Sequence, residues 1–202
     1  MYGARVTSRW IAYADESMRQ RRDGSGLYVL AAALVEEKAV SEVRAAAARL
    51  AIGGAGRRVH WRNESPARRR KVVAAVADLD PIHLVIVGVG LDNPRQERAR
   101  RLCLQRLLWE LQTVDVHQVW LEARTSSLNH KDIALVDLLR VQGVLGPDLR
   151  VEHVRPTGML GEPLLWLADI VAGAVSAARG DGELQYLAPL EPLLIEHIVS
   201  LA

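Results

Sequence analysis

Carboxylates stand at three places where the surrounding sequence is apolar. Asp15 and Glu16 follow the run "RWIAYA", Glu122 closes "HQVWLE", and Asp169 interrupts "LLWLADIVAGAV". An ionised carboxylate in such surroundings is costly unless a cation or a hydrogen-bond donor compensates it. Carboxylate oxygens are the ligands that hard divalent cations such as Mg²⁺ and Mn²⁺ prefer. These residue types predict either a metal site or buried ion pairs.

Asp169 carries the strongest of these arguments. Its segment, "LLWLADIVAGAV", contains no other charge, and no cationic residue lies within one helical turn of it. The compensating group must therefore come from a distant part of the chain. A metal-binding or catalytic role is one interpretation, and a structural ion pair with an arginine is the alternative.

A histidine and a tryptophan share the segment "RRVHWRNES". His60 could orient water or transfer a proton, because the unperturbed pKa of histidine lies near physiological pH. The alternative is a loop histidine that packs on Trp61. Trp61 itself, beside arginines, could stack on a nucleic-acid base.

Two further acids are weaker candidates. Glu16 should point away from Asp15, because neighbouring residues of a strand face opposite sides, unless a turn at the strand end relaxes this rule. Asp132, in "NHKD", follows the strand that carries Glu122 and could lie beside it. We therefore keep Glu16 as a secondary catalytic candidate, together with His60.

The elements that must position these residues alternate between strands and helices. Patterning predicts strands at 9–16, 27–36, 82–90, 117–124 and 149–156, and helices at 41–52, 65–79, 94–114, 130–144, 163–179 and 190–202. The turn residues "RRDGSG" favour a hairpin between the first two strands. The chain is thus predicted to be an α/β protein, with a mixed five-stranded sheet and helices on both faces. Ligand sites of such sheets form outside the carboxyl ends of strands.

Composition bounds the kind of protein. The chain of 202 residues is half hydrophobic and a quarter charged, which suits one domain over 1–202, with an inserted loop and helices at about 41–79. The single cysteine, Cys103, excludes an internal disulfide framework. No apolar run is long enough for a membrane span, and the first residues lack a signal-peptide core. We therefore expect a cytoplasmic protein without a membrane partner.

Arginine is concentrated in two blocks, at 57–71 and 93–101, although the net charge is only +2. Such blocks could neutralise the phosphates of a nucleic acid. Solvated helix faces are the alternative. The glycine-rich "GGAGRR" is not a phosphate loop, because the Gly-Lys-Ser/Thr ending is missing, and this disfavours phosphoryl chemistry on a small molecule.

The chain resembles the domain of unknown function 3800 family. The resemblance lies in "YADES" closing a first strand, a histidine-containing middle segment, and the late "LLWLADIVAGAV", and it covers roughly residues 10–178. Met18 departs from the family pattern, in which glycine commonly follows the serine. Glu122 also departs from it, since aspartate is more usual there. The resemblance implies a ribonuclease-H-like fold and a metal-dependent nuclease or another nucleic-acid-processing protein.

The resemblance implies a carboxylate site made of Asp15, Glu122 and Asp169. Together with the residue chemistry it predicts hydrolysis of phosphodiesters in nucleic acid with Mg²⁺ or Mn²⁺, Asp15 bridging two ions and the other acids holding one each. The rival hypothesis is a non-catalytic nucleic-acid-binding or assembly protein that retains the fold, with the acids in salt bridges. A scattered arrangement of the three acids, or one acid held bidentate by a guanidinium, would remove the basis of the nuclease hypothesis.

Overall fold

The computed structural model describes residues 9–20, 26–51, 58–91, 96–158 and 161–201. The predicted hairpin turn at 21–25 and most of the glycine-rich segment, 53–57, lie outside these ranges, as do residues 93–95 of the second arginine block.

Six strands and five longer helices make up the described chain. In chain order they are β1 (Trp10–Gln20), β2 (Gly26–Glu36), α1 (Val40–Arg49), α2 (Pro66–Ala77), β3 (Ile82–Leu91), α3 (Gln96–Thr113), β4 (Val116–Glu122), α4 (Ser126–Val141), β5 (Arg150–Val154), α5 (Leu165–Asp181) and β6 (Leu194–Ser200).

The strands form one mixed sheet in the order β5-β4-β1-β2-β3-β6. β1, β2 and β3 are antiparallel to one another in turn, whereas β4 is parallel to β1, β5 to β4 and β6 to β3. The predicted α/β class and the mixed sheet are confirmed, but the predicted number of five strands is wrong.

The sixth strand comes from the tail that patterning assigned to a helix. β6 pairs in parallel with β3 from His83↔Leu194 to Val89↔Ser200. The tail contains Ile195, Ile198 and Val199, whose branched side chains suit a pleated strand. β3 offers an unpaired edge to them, and that edge exists only in the folded sheet.

Helices cover both faces of the sheet, as predicted. On one face α1, α2 and α5 pack over a cluster that includes Tyr13 of β1, and on the other α3 and α4 pack over one that includes Ala12 and Ala14. Because β1 alternates between these two clusters, its successive side chains face different helices. Within the described ranges, no helix combines the length and the apolar character needed to cross a membrane.

The helix starts agree only partly with the sequence. Ser65 caps α2 by accepting a hydrogen bond from the Arg68 N–H at 3.3 Å, with Pro66 at the first helical position. The serine predicted to cap α1, Ser41, lies inside that helix instead, because α1 continues directly from the 3₁₀ turn Glu37–Ala39.

The first strand is longer than predicted, which changes the setting of Asp15. β1 pairs with β2 through Gln20↔Gly26, so Asp15 and Glu16 lie inside the strand rather than at its end. The pairing of β1 with β4, however, stops at Ala14↔Leu121. Asp15 is therefore the first residue of β1 beyond the part of the strand that pairs with β4.

Candidate functional site

Asp15, Glu122 and Asp169, which we call the acid cluster, come from three different elements on one face of the sheet. Asp15 shares the α5 side of β1 with Tyr13, and Glu122 shares the same side of β4 with Trp120. Asp169 lies near the beginning of α5, which packs on β1 and β2. The carboxyl end of β4, the adjacent part of β1 and the start of α5 thus converge.

One arginine joins the three carboxylates. The Arg58 Nη1 and Nη2 donate to Oε1 and Oε2 of Glu122, each at 2.6 Å, which is a bidentate pair. Nη2 also donates to Oδ2 of Asp15 at 3.0 Å and lies 3.9 Å from Oδ1 of Asp169. The acids are therefore not scattered, but Glu122 is held bidentate by a guanidinium, so one of the two conditions set against the nuclease hypothesis is met.

The sequence did not single out Arg58, although it did indicate that an arginine could be the partner of Asp169. The apolar setting of Asp169 indicated a distant cation, with arginine as one possibility, and Arg58 lies in the first arginine block. Nothing in a run of several arginines distinguishes the one that turns inward. Val59, which is buried beside it, was the available signal.

Both carboxylate oxygens of Asp169 contact the segment that follows Arg58. Nδ1 of His60 lies 2.9 Å from Oδ1 of Asp169, and the Trp61 N–H donates to Oδ2 at 2.7 Å. Asp169 therefore fixes the backbone and the histidine ring next to the acid cluster.

Trp61 strengthens this attachment with its ring. The ring packs on Gly173 of α5 so closely that a Cβ there would lie 2.1 Å from Cγ of Trp61, and it meets Tyr186 edge-on at 5.1 Å. The Arg69 guanidinium covers it at 4.8 Å. Trp61 is buried, so the idea that it stacks on a base is wrong, because its faces are already occupied.

The acid cluster carries more negative charge than its arginine compensates. Burial raises the pKa of Asp15 well above its usual range, and the neighbouring charges of Glu122 and Asp169 raise it further. Burial alone would lower the pKa of Arg58, but its hydrogen bonds to Glu122 and the surrounding carboxylates raise it. Arg58 therefore keeps its positive charge, and the site around it could accept more.

The donor set suits a hard divalent cation, with Arg58 standing where that cation would bind. All three side chains offer carboxylate oxygens, the ligands that Mg²⁺ and Mn²⁺ prefer. As the side chains are placed in the described ranges, no group of three His, Cys, Asp or Glu residues is arranged to hold a metal ion. The chemistry of the ligands fits a metal, and the guanidinium must leave before they can enclose one.

Glu16 is not brought into the acid cluster. Its side chain leaves the opposite face of β1 and pairs with Arg100 of α3. Arg100 also donates from Nε and Nη2 to the two oxygens of Asp132, each at 2.9 Å, and Tyr28 lies 3.4 Å from Nη1. The alternation along β1 therefore separates Glu16 from Asp15, as expected for a regular strand.

Asp132 belongs to the same buried group rather than to the surroundings of Glu122. Besides Arg100, it accepts from Nη2 of Arg124 and meets Nε2 of His153, both at 3.0 Å. Burial would raise the pKa of Asp132, but the hydrogen bonds from His153 and Arg100 hold it below its usual range. We call these residues, with Glu16, the Arg100 network; its carboxylates are matched by cations, as in a structural ion cluster.

A groove of about 420 Å³ opens beside the acid cluster. Polar and basic side chains dominate its walls. They are Glu16, Ser17, Met18, Arg19, His60, Trp61, Arg62, Arg69, Asp169, Gly173 and Ser176. Arg19 is paired with Asp181, while Arg62 is exposed. The groove leads from the surface to Asp169 and His60 and has the charge to receive an anionic chain.

Comparisons with known proteins find similarity in structure only. No protein-family model matches the chain, and no curated protein matches its sequence. The resemblance to the domain of unknown function 3800 family thus stays a prediction.

Solved ribonucleases H have a similar fold. The ribonuclease H2 from Pyrococcus horikoshii OT3 has a TM-score of 0.50 at 15% identity, covering 89% of this chain and 77% of that one. Bst ribonuclease HIII in complex with Mn²⁺ has a TM-score of 0.52 at 15% identity, covering 91% of this chain and 56% of that one. A point mutant of Bst ribonuclease HIII has a TM-score of 0.54 at 16% identity, covering 90% and 55%. The chain thus spans just over half the length of the ribonuclease HIII chains, and what these likenesses show is a ribonuclease-H-like fold.

Proposed function

We propose that the chain is a divalent-metal-dependent nuclease that hydrolyses phosphodiester bonds in nucleic acid. The observation that carries the proposal is the convergence of Asp15, Glu122 and Asp169 from β1, β4 and α5 of a ribonuclease-H-like fold. Two buried carboxylates and a half-buried one around a single guanidinium are poorly explained by a need for stability, because a well-packed apolar set would serve at least as well.

The acid cluster would hold the metal. Bound Mg²⁺ or Mn²⁺ supplies an activated water and stabilises charge on the attacked phosphate. Asp15 lies within hydrogen-bonding reach of the same Arg58 nitrogen as Glu122, and is the acid whose charge both others repel. It is therefore the candidate for a shared ligand, with Glu122 and Asp169 on either side.

His60 is placed to handle a proton at the edge of the groove. Its side chain is 37% exposed and its Nδ1 faces Asp169. When Nδ1 carries the proton toward Asp169, Nε2 is left as the acceptor, and the carboxylate holds the ring in that orientation. We propose His60 as the residue that orients or deprotonates water, with Asp169 as its positioning partner.

The groove would receive the nucleic acid. Arg62 and Arg69 lie on the wall that also carries His60, so they could pair with phosphates on one side of the acids. The similar solved structures are named as ribonucleases, so RNA-containing strands are the first substrates to assay, beside DNA and hybrids.

The second candidate is a non-catalytic nucleic-acid-binding or assembly protein. The bidentate pair between Arg58 and Glu122 favours it, because a half-buried arginine–carboxylate pair can be the final state of such a cluster. In that protein the acids would only hold residues 58–61 in place.

Calorimetry with Mn²⁺ and a cleavage assay separate the two candidates. We expect the wild type to bind Mn²⁺ and cleave an oligonucleotide, and Asp15→Asn and Asp169→Asn to lose both by about 10–100-fold, since metal sites and the residues that orient them are this sensitive. Asp148→Asn, an exposed position in the loop before β5, is the matched control and should behave as the wild type. Metal binding that survives both substitutions removes the proposed site. Metal binding without cleavage of RNA, DNA or hybrid favours the second candidate.

A further inference from the structure

We infer that Arg58 and a divalent cation are alternative counter-ions of the acid cluster, so that metal binds only when Arg58 withdraws. The inference rests on the proposed metal site and adds a built-in competitor to it. In the metal-free protein Arg58 then occupies the position of the metal ion, which makes this form a resting state.

The contacts of Arg58 show why the two cations exclude one another. The guanidinium engages both oxygens of Glu122 and Oδ2 of Asp15, and its Nη2 is 3.9 Å from Oδ1 of Asp169. A metal ion that used these oxygens would lie at contact distance from the guanidinium, and two cations so close repel strongly in a buried site. The oxygens can therefore serve one cation or the other.

The charges of the acid cluster favour the exchange of Arg58 for a divalent cation. Three carboxylates face a single guanidinium, whereas a divalent cation would bring twice that charge to the same oxygens. The bound position of Arg58 is also incomplete, because its Nε is buried without a hydrogen-bond partner among the described residues.

Withdrawal of Arg58 requires only its side chain to move. Val59 is buried in the core, and His60 and Trp61 are hydrogen-bonded to Asp169. The Trp61 ring is clamped between α5 and Tyr186. The backbone after Arg58 is thus attached independently of its guanidinium, whose side chain is already 20% exposed. The long side chain can turn out to solvent while the segment stays in place.

Mn²⁺ titration calorimetry on Arg58→Met tests the inference. Methionine keeps much of the length of the side chain and removes its charge. We expect Arg58→Met to bind Mn²⁺ about tenfold more tightly than the wild type, because a competitor that occupies the site most of the time weakens the apparent affinity by that fraction. We also expect Arg58→Met to melt at a lower temperature than the wild type in EDTA and to gain more from added MnCl₂. Arg150→Met, exposed at the opposite end of the parallel strands, is the matched control.

The outcomes are distinct from those of the proposed function. Equal Mn²⁺ affinity of wild type and Arg58→Met, or weaker binding by the variant, overturns the competition and leaves the metal site standing. No Mn²⁺ binding by any of the proteins overturns the metal site and the competition together. If Arg58→Met does not fold, Arg58→Lys decides: its single ammonium cannot span Glu122 bidentately, so tighter Mn²⁺ binding than wild type supports the inference and equal binding overturns it.

Discussion

Asp15 shares one guanidinium with two other carboxylates, and this sets its chemistry. Its Oδ2 accepts from Arg58 at 3.0 Å, and its Oδ1 accepts from the backbone N–H of Glu16 at 2.8 Å. Burial and the nearby charges of Glu122 and Asp169 nevertheless raise its pKa. A residue in this position is ready to exchange a proton for a metal ion, since either relieves the repulsion.

The raised pKa of Asp15 predicts a pH dependence of stability. Between the ordinary pKa of aspartate and the raised value, the folded protein binds a proton that the unfolded chain has released, so stability falls as pH rises through that window. We expect Asp15→Asn in EDTA to melt a few degrees above the wild type at neutral pH, where about 1 kcal/mol corresponds to about 2–4 °C for a chain of this size. The difference should vanish toward acidic pH.

Thermal unfolding of both proteins across acidic to neutral pH is the measurement. Asp148→Asn serves as the control, because it removes an exposed carboxylate away from the cluster. Identical melting temperatures of wild type and Asp15→Asn at neutral pH would mean that Arg58 fully compensates Asp15.

At the scale of elements, α5 organises the site. Its apolar residues hold it against β1 and β2, Asp169 fixes His60 and Trp61, and Gly173 leaves room for the Trp61 ring. The helix ends at Asp181, where Gly182 adopts the left-handed conformation with φ 76°. A single helix thus carries one acid and the surface on which the histidine segment docks.

Gly173→Ala tests this docking. The new Cβ would lie 2.1 Å from Cγ of Trp61, so the ring must move and take the backbone N–H away from Asp169. Overpacking of this kind costs about 1–3 kcal/mol of unfolding free energy, and Mn²⁺ affinity should fall with it. The control is Gly180→Ala in the same helix, where the Cβ meets only the flexible Arg19 side chain. Equal urea midpoints for the two variants would show that Trp61 is not fixed by α5.

The Arg100 network attaches α4 to α3 and β1. Asp132 and Arg100 are both buried and form a bidentate pair, so Asp132→Ala breaks a buried ion pair and leaves the Arg100 guanidinium with Glu16 as its remaining acid. Such a change costs about 3–5 kcal/mol of unfolding free energy. Asp137→Ala, on the exposed side of α4, should cost no more than about 0.5 kcal/mol. A loss for Asp132→Ala as small as for Asp137→Ala, measured in urea, would contradict a structural role for this network.

At the scale of the whole molecule, the sheet separates two ion clusters with different tasks. β1 presents Asp15 to α5 and Glu16 to α3, so the acid cluster and the Arg100 network lie on opposite faces. The first has one guanidinium for three carboxylates, whereas the second has two guanidiniums, those of Arg100 and Arg124, for the carboxylates of Glu16 and Asp132. The excess of carboxylates over guanidiniums in the acid cluster is what favours a functional site there.

The small net charge predicts modest, salt-sensitive binding of nucleic acid. With a net charge of +2, attraction must come from local arginines such as Arg62 rather than from the whole surface. We expect Arg62→Ala to weaken oligonucleotide binding in fluorescence anisotropy for all sequences alike and to reduce the slope of log affinity against log salt by about one. Arg150→Ala, at the far end of the sheet, should leave the slope unchanged. An unchanged slope in Arg62→Ala would place the nucleic acid elsewhere.

Much of the fold could be predicted because its signals are local. The β-branched run of β3, the serine and proline before α2 and the apolar length of α5 each indicate their own element. The tail was misassigned because its pattern suits helix and strand alike, and only the free edge of β3 selects the strand. Trp61 was misjudged for a similar reason, since its burial depends on a glycine more than a hundred residues away.

The sequence by itself determined that Asp169 needs a compensating partner from a distant part of the chain, since burial of a lone carboxylate is costly wherever the helix docks. Tertiary structure alone decided which partners: Nδ1 of His60 and the Trp61 N–H lie 2.9 and 2.7 Å from its two oxygens, and Nη2 of Arg58 lies 3.9 Å from Oδ1. The residues around Asp169 already show that burying its charge is costly, because that cost depends on the local sequence. The identity of the partners depends on where segment 58–61 lies in the fold, because this segment brings one arginine to the edge where the pairing of β1 with β4 ends.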